Sequence, residues 1–176
     1  MELLSGKRAA ERVQNIVSPK YQVHAYAVDL SVRNIYALDP VGQVDFGGSE
    51  YRAAGKIELA RYRAYPEDTY EWWDLGRGSY LVEYNESFEF PDDEFGLLEP
   101  DERLQRAGAS HATQMLRGRI KQLEVLLTVD TMRVRVKQNA RVSRLRLFHF
   151  SPATPTVIVV PPPAAKPRAR KKGRRK

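Results

Sequence analysis

Between residues 28 and 150 the chain keeps repeating one pattern: short runs in which apolar and polar residues alternate, broken by Gly, Pro, Asn and Asp. Alternation with period two puts every second side chain on one face of a strand, so each run has a face to bury. Val28, Leu30 and Val32 alternate with Asp29, Ser31 and Arg33, and Tyr80, Val82 and Tyr84 alternate with Leu81, Glu83 and Asn85. Val134 and Val136 do the same among Arg133, Arg135 and Lys137; Phe88 and Phe90 form a shorter piece, and residues 141 to 150 close the series. The nearly continuous apolar run from Leu123 to Val129 predicts a strand covered on both faces. Many short strands with turns between them must bury one face, so they predict a mostly β domain: a distorted β-barrel or jelly-roll.

Helical periodicity is confined to two places. Residues 5 to 17 predict an amphipathic helix, capped by Ser5 and ended before Pro19, with Ala9, Val13, Ile16 and Val17 on its apolar face. A second, short internal helix is expected from Asp101 to Ala107. Residues 40 to 56 carry four of the eleven glycines and read as a turn-rich excursion.

At 176 residues the length fits one domain with one core. The absence of cysteine rules out disulfides, thiolate metal sites and thiol nucleophiles, and fits a cytoplasmic protein. His24, His111 and His149 show no pairing at ligand spacing, so a zinc site is not expected. No apolar run is long enough to span a bilayer, which predicts a soluble chain without a transmembrane segment. The formal net charge of +7 is concentrated at one end: Lys166 to Lys176 holds eight basic residues, and removing them leaves 21 basic against 22 acidic. The chain therefore divides into a β domain at 1 to 150 and a Pro-rich spacer with a disordered basic tail at 151 to 176. Eight cations on a proline spacer suit non-specific nucleic acid; the alternative is a solubilising tail.

Several segments stand out in order: the Leu4-Ser5-Gly6-Lys7 opening, Val17-Ser18-Pro19 to Gln22-Val23, Ala27-Val28-Asp29-Leu30, Trp73 with Leu75, and Gly78 to Glu86. Pro91, Pro100, Leu104, Arg106 and Gly108 follow, then Ala140-Arg141-Val142 with Leu145. In this order they resemble the dUTPase and dCTP deaminase family, and its archaeal dUTPase-like branch in particular. The resemblance implies a β domain of that family, a homotrimer with shared active sites, a deoxynucleoside triphosphate substrate with dUTP foremost, and Mg2+ held largely by the phosphates. It implies hydrolysis of dUTP to dUMP and pyrophosphate, with a carboxylate activating the water.

The chain departs from the family's pattern at three motifs. Where the family has Arg-Ser-Ser, this chain has Asp101, Glu102 and Arg103, which puts two acids where a polyanion should sit. Thr113 to Gly118 lacks the family's carboxylate and aromatic, and Arg144 replaces a Gln. The candidate catalytic residues are Asp29, which matches the first motif and otherwise reads as a structural acid, and Glu124, one residue late for the deaminase glutamate. Asp130 and His111 are further candidates for activating water, while Arg103, Arg106 and Arg144 are the candidate phosphate-binding residues. The alternatives are a catalytically degenerate trimer that binds nucleotide or serves a structural or nucleic-acid-tethered role, and a dCTP deaminase working through Glu124. Arg133, Arg135 and Lys137 form a basic strand face whose ordinary reading is a solvated surface, with a phosphate or nucleic-acid surface as the lesser alternative.

Overall fold

The computed structural model describes residues 1–39 and 41–150; the proposed spacer and tail lie outside the described residues. In chain order the elements begin β1 (Glu2–Leu3), α1 (Gly6–Ala10), β2 (Val13–Gln14), α2 (Pro19–Gln22), β3 (Val28–Leu38), β4 (Lys56–Glu58) and β5 (Trp72–Tyr84). They continue with β6 (Ser87–Glu89), β7 (Glu94–Pro100), α3 (Glu102–Arg106), β8 (Ala109–His111), β9 (Gln114–Leu116), β10 (Arg119–Ile120), β11 (Glu124–Lys137) and β12 (Arg141–His149).

The fold is mostly β, as the alternation predicts. One nine-stranded antiparallel sheet runs β8-β11-β5-β3-β12-β7-β9, with β1 added to β12 and β4 to β3, and curls into a half-barrel; β10-β6-β2 form a second, small sheet. The inner face gathers Val28, Leu30, Ile35, Trp73, Leu75, Val82, Leu98, Leu127, Leu145 and Leu147, all at most 2% exposed. These are alternate residues of the strand runs, but burial is not confined to one face: Asp29 and Ser31 of β3 and Glu83 of β5 are buried as well.

Two expectations are corrected. The N-terminal helix is a single turn, because after Ala10 the chain extends and Val13 pairs with Phe88 in the small sheet. Asn15 then reverses the chain at φ 63°, and Pro19 begins α2 instead of following a long helix. The apolar run at 123 to 129 is covered on one face only: Val125, Leu127 and Val129 are buried, while Leu126 is half-exposed.

Gly6 places α1 against the turn that leads into β3. Its N–H donates to the Ala25 carbonyl at 2.8 Å, and a Cβ there would collide with the backbone oxygens of His24 and Ala27. Backbone cannot swing aside as a side chain can, so Gly6→Ala should destabilise the protein by about 2–4 kcal/mol. Urea unfolding measures it, and a loss below about 0.5 kcal/mol would contradict the tight contact.

Candidate functional site: an arginine crown on two buried carboxylates

The site lies where β3, β12 and the start of α3 meet. Asp29 extends from β3 and Arg144 stands opposite it on β12 in Cα register. A strand residue alternates faces, so Arg141 and Arg144, three apart, should point to opposite sides of β12. A register shift between Arg141 and Ser143 removes that parity, and both arginines reach Asp29.

Asp101 ends β7's approach to α3 and caps the helix, its Oδ1 accepting from the Arg103 N–H at 2.9 Å. It is 2% exposed and Asp29 is 1% exposed, so neither carboxylate can be solvated by bulk water. Arginines supply what water does not. Arg144 Nε donates to Asp29 Oδ1 at 3.1 Å and Arg144 Nη2 to Asp101 Oδ2 at 3.1 Å, so one guanidinium ties both acids together. Arg141 Nη1 donates to Asp29 Oδ2 at 3.2 Å and to the Tyr21 carbonyl. Arg103 Nε donates to Asp101 Oδ1 at 3.0 Å, with its Nη2 3.9 Å from Asp29 Oδ2, and His24 Nε2 lies 2.8 Å from that same oxygen.

Three guanidinium groups thus face two carboxylates, one positive charge in excess before His24 is counted. Burial alone would push the Asp101 carboxyl up. The Arg103 N–H, the Arg103 guanidinium and the Arg144 charge outweigh it and hold that carboxyl below its ordinary value. The acids lie inside and the cations outside: Arg103 is 59% and Arg144 35% exposed at the side chain. Arg144 also lines a cleft of about 390 Å3 with Arg146, Glu99, Glu102, Gln105 and His111.

The sequence-derived candidates separate accordingly. Asp29, Arg103 and Arg144 come together in the crown. Arg106 sits on the outer side of α3, pairing with Glu102 at 2.6 Å. Glu124 accepts from Lys56 Nζ at 2.6 Å and from Gln122, not from any crown residue. Asp130 continues the β11 ladder, its N–H donating to the Gly108 carbonyl. Asp101 and Arg141 were not singled out as crown members from sequence. An Asp directly before Glu-Arg-Leu and after a proline is a helix-cap signal, and it locates Asp101.

A buried relay runs behind the crown. Tyr84 Oη lies 2.5 Å from Ser143 Oγ, and Ser143 Oγ lies 2.7 Å from His111 Nε2, while His111 Nδ1 is 2.8 Å from the Ala112 carbonyl. A carbonyl can only accept, so Nδ1 carries the proton and Nε2 accepts from Ser143, which in turn accepts from Tyr84. Burial raises the Tyr84 hydroxyl and lowers His111. A base held neutral by the fold contributes stability in full above its unfolded pKa of about 6.5, and that stability is lost as pH falls through this value towards the lower folded one. His111→Gln should therefore flatten the decline in melting temperature below pH 6.5; an unchanged pH profile would remove His111 from that role.

The residues do not fit a resident Mg2+. Both oxygens of Asp29 and of Asp101 are taken by nitrogen donors, and among the described residues no group of three or more His, Asp or Glu could hold a metal. No described helix is long and apolar enough to cross a membrane.

No protein-family model matches the chain. It is 28% identical over 159 residues to a probable deoxyuridine 5'-triphosphate nucleotidohydrolase of Methanosarcina acetivorans, covering 84% of this chain and 88% of that protein. A protein of the same description from Archaeoglobus fulgidus is 26% identical over 162 residues, covering 88% and 92%. In fold the chain is similar to the 2'-deoxycytidine 5'-triphosphate deaminase of Agrobacterium tumefaciens, with a TM-score of 0.59 at 15% identity; the match covers 82% of this chain and about half, 47%, of the deaminase. In sequence the chain is thus similar to archaeal proteins described as probable dUTPases, and its curled antiparallel sheet is the fold seen in the dUTPase and dCTP deaminase family.

Proposed function

We propose that the chain is a nucleoside triphosphate hydrolase of the archaeal dUTPase kind, cleaving dUTP to dUMP and pyrophosphate. The observation that carries this reading is the crown: Arg103, Arg141 and Arg144 held at fixed positions by two carboxylates that water cannot reach. Guanidinium forks match phosphate oxygens, and arginines already anchored lose little freedom when a polyanion arrives. In the reaction a water oxygen bonds to the α-phosphorus, the bond to the bridging oxygen breaks, and pyrophosphate leaves with the electron pair. Donors aimed at the developing charge lower that barrier. Asp29, with both oxygens engaged, acts in this reading by holding Arg141 and Arg144, so the proton passes to a cleft acid, Glu99 or Glu102, or to solvent. Magnesium enters with the triphosphate as part of the substrate. A homotrimer in the cytoplasm belongs to the same proposal.

One observation favours a second reading, a nucleotide-binding family member without turnover: Asp101 already occupies donors of Arg103 and Arg144. Incubation with dUTP or dCTP and magnesium, following pyrophosphate, ammonia and equilibrium binding, separates the two. Pyrophosphate from dUTP supports the hydrolase. Binding without product supports the second reading, and ammonia from dCTP would replace both with a deaminase.

A further inference from the structure

We propose that the outer face of β11 at its β12 end is a binding track for single-stranded nucleic acid. Arg133, Arg135 and Lys137 alternate on β11 opposite Gly76, Asp74 and Trp72 of β5. Residues directly opposite in an antiparallel ladder share a face, so these three cations look the same way as Asp74 and Trp72. Gly76 adds no side chain, and Tyr80 reaches back to it, its hydroxyl donating to the Gly76 carbonyl at 3.0 Å. Asp74 is the one acid in these rows and is shared: Arg133 Nε lies 3.0 Å and Arg135 Nε 4.0 Å from it, with both arginines more than half exposed. The rows therefore carry a positive excess.

Aromatic rings are set among the cations. Lys137 Nζ lies 5.1 Å from the Trp72 ring centroid and 5.7 Å from that of Tyr70, and Tyr70 is 46% exposed. Tyr70, Arg135 and Lys137 also line a cleft of about 520 Å3 with Leu104, Val134 and Val142, and the crown arginines Arg103 and Arg141 border the same cleft. Cations at strand spacing follow a phosphate backbone, while an exposed ring and an apolar cleft accept unstacked bases. A duplex keeps its bases stacked inside and could use only the cations, so the combination selects a single strand. This surface is distinct from the basic tail, which offers charge but no ring.

The test uses the full-length chain and a fluorescein-labelled 12-mer of thymidine, read by anisotropy across a salt series, with a 12-base-pair duplex beside it. Arg133→Gln with Arg135→Gln should weaken single-strand binding at least fivefold and reduce the slope of log K against log salt by about 1.4, from about 0.7 for each of two phosphates. Tyr70→Ala removes no charge, so it should weaken the single strand about fivefold or more while leaving the duplex unchanged. Single-strand affinity unchanged in both variants, or a wild-type chain that prefers the duplex or binds neither, would overturn the proposal. None of these readouts involves dUTP, so the track and the hydrolase reading can fail separately.

Discussion

Arg144→Leu is expected to lower the stability of the folded protein by about 3 kcal/mol and to weaken triphosphate binding at least tenfold. The stability loss follows from what stays behind. Asp29 and Asp101 remain enclosed, and each loses a charged hydrogen bond at 3.1 Å. Removing one partner of a buried ion pair costs about 3–5 kcal/mol, and the partial exposure of Arg144 places this case at the lower end. Against a total of about 5–15 kcal/mol this is a large fraction. Arg144→Lys should recover only part of the loss, since a compact ammonium lacks the rigid fork with which the guanidinium reaches Asp29 through Nε and Asp101 through Nη2. Urea unfolding and tripolyphosphate titration of both variants give the two numbers. A leucine variant within 1 kcal/mol of wild type would mean that the carboxylates find other partners, and the crown would lose its central member.

The second large effect is expected at Glu86, which the proposed reaction does not use. It is 1% exposed, and three donors converge on it: Ser31 N at 2.9 Å, Ser31 Oγ at 2.7 Å and Gln22 Nε2 at 2.6 Å. No arginine or lysine is paired with it among the described residues. Burial, only partly offset by the Ser31 and Gln22 donors, raises its carboxyl above the ordinary range. Glu86→Gln is nearly isosteric but brings its own amide donor into a nest of donors. Ser31 Oγ can rotate; the Ser31 N–H cannot, and Gln22 is fixed at its other end, where its Oε1 accepts from Ser18 N at 2.7 Å. One donor must face another, at a cost of about 2–3 kcal/mol. The pH dependence has its own sign. A carboxyl raised in the fold makes the native state bind more protons than the unfolded chain, so stability falls as pH rises from about 4.3 through the raised value. The glutamine variant should lack that component, and an identical pH profile would place the titration elsewhere.

Much of the fold was legible because it rests on local pattern. Val28, Leu30, Val32, Val82 and Tyr84 are buried as the alternation predicts, but Asp29, Ser31 and Glu83 between them are buried as well, and Tyr80 is only partly covered. What local pattern could not give is partnership. Val13 belongs to a helical stripe by spacing and to a strand by its pairing with Phe88, 75 residues away in sequence, and the distant partner decides. The crown shows the same limit. Asp101 reads as a charge opposing phosphate when only its neighbours are considered, and its cap role is visible there too. That its second oxygen belongs to Arg144 depends on β12 lying between β3 and β7. In sequence Arg141 marks only a late motif, since strict alternation sets it against Arg144; the register shift on β12 brings both to one side.

That register carries a further consequence for how the sheet assembles. Leu145 and Ser143, on either side of Arg144, are fully buried. If β12 slid by one residue between β3 and β7, a leucine or a serine would face Asp29 and the guanidinium would enter the apolar interior, unpaired. The crown therefore works as a key that fits one alignment of the central strand. An arginine crown built this way depends on the alignment of the strand that carries it, and a misaligned chain loses both the crown and the sheet.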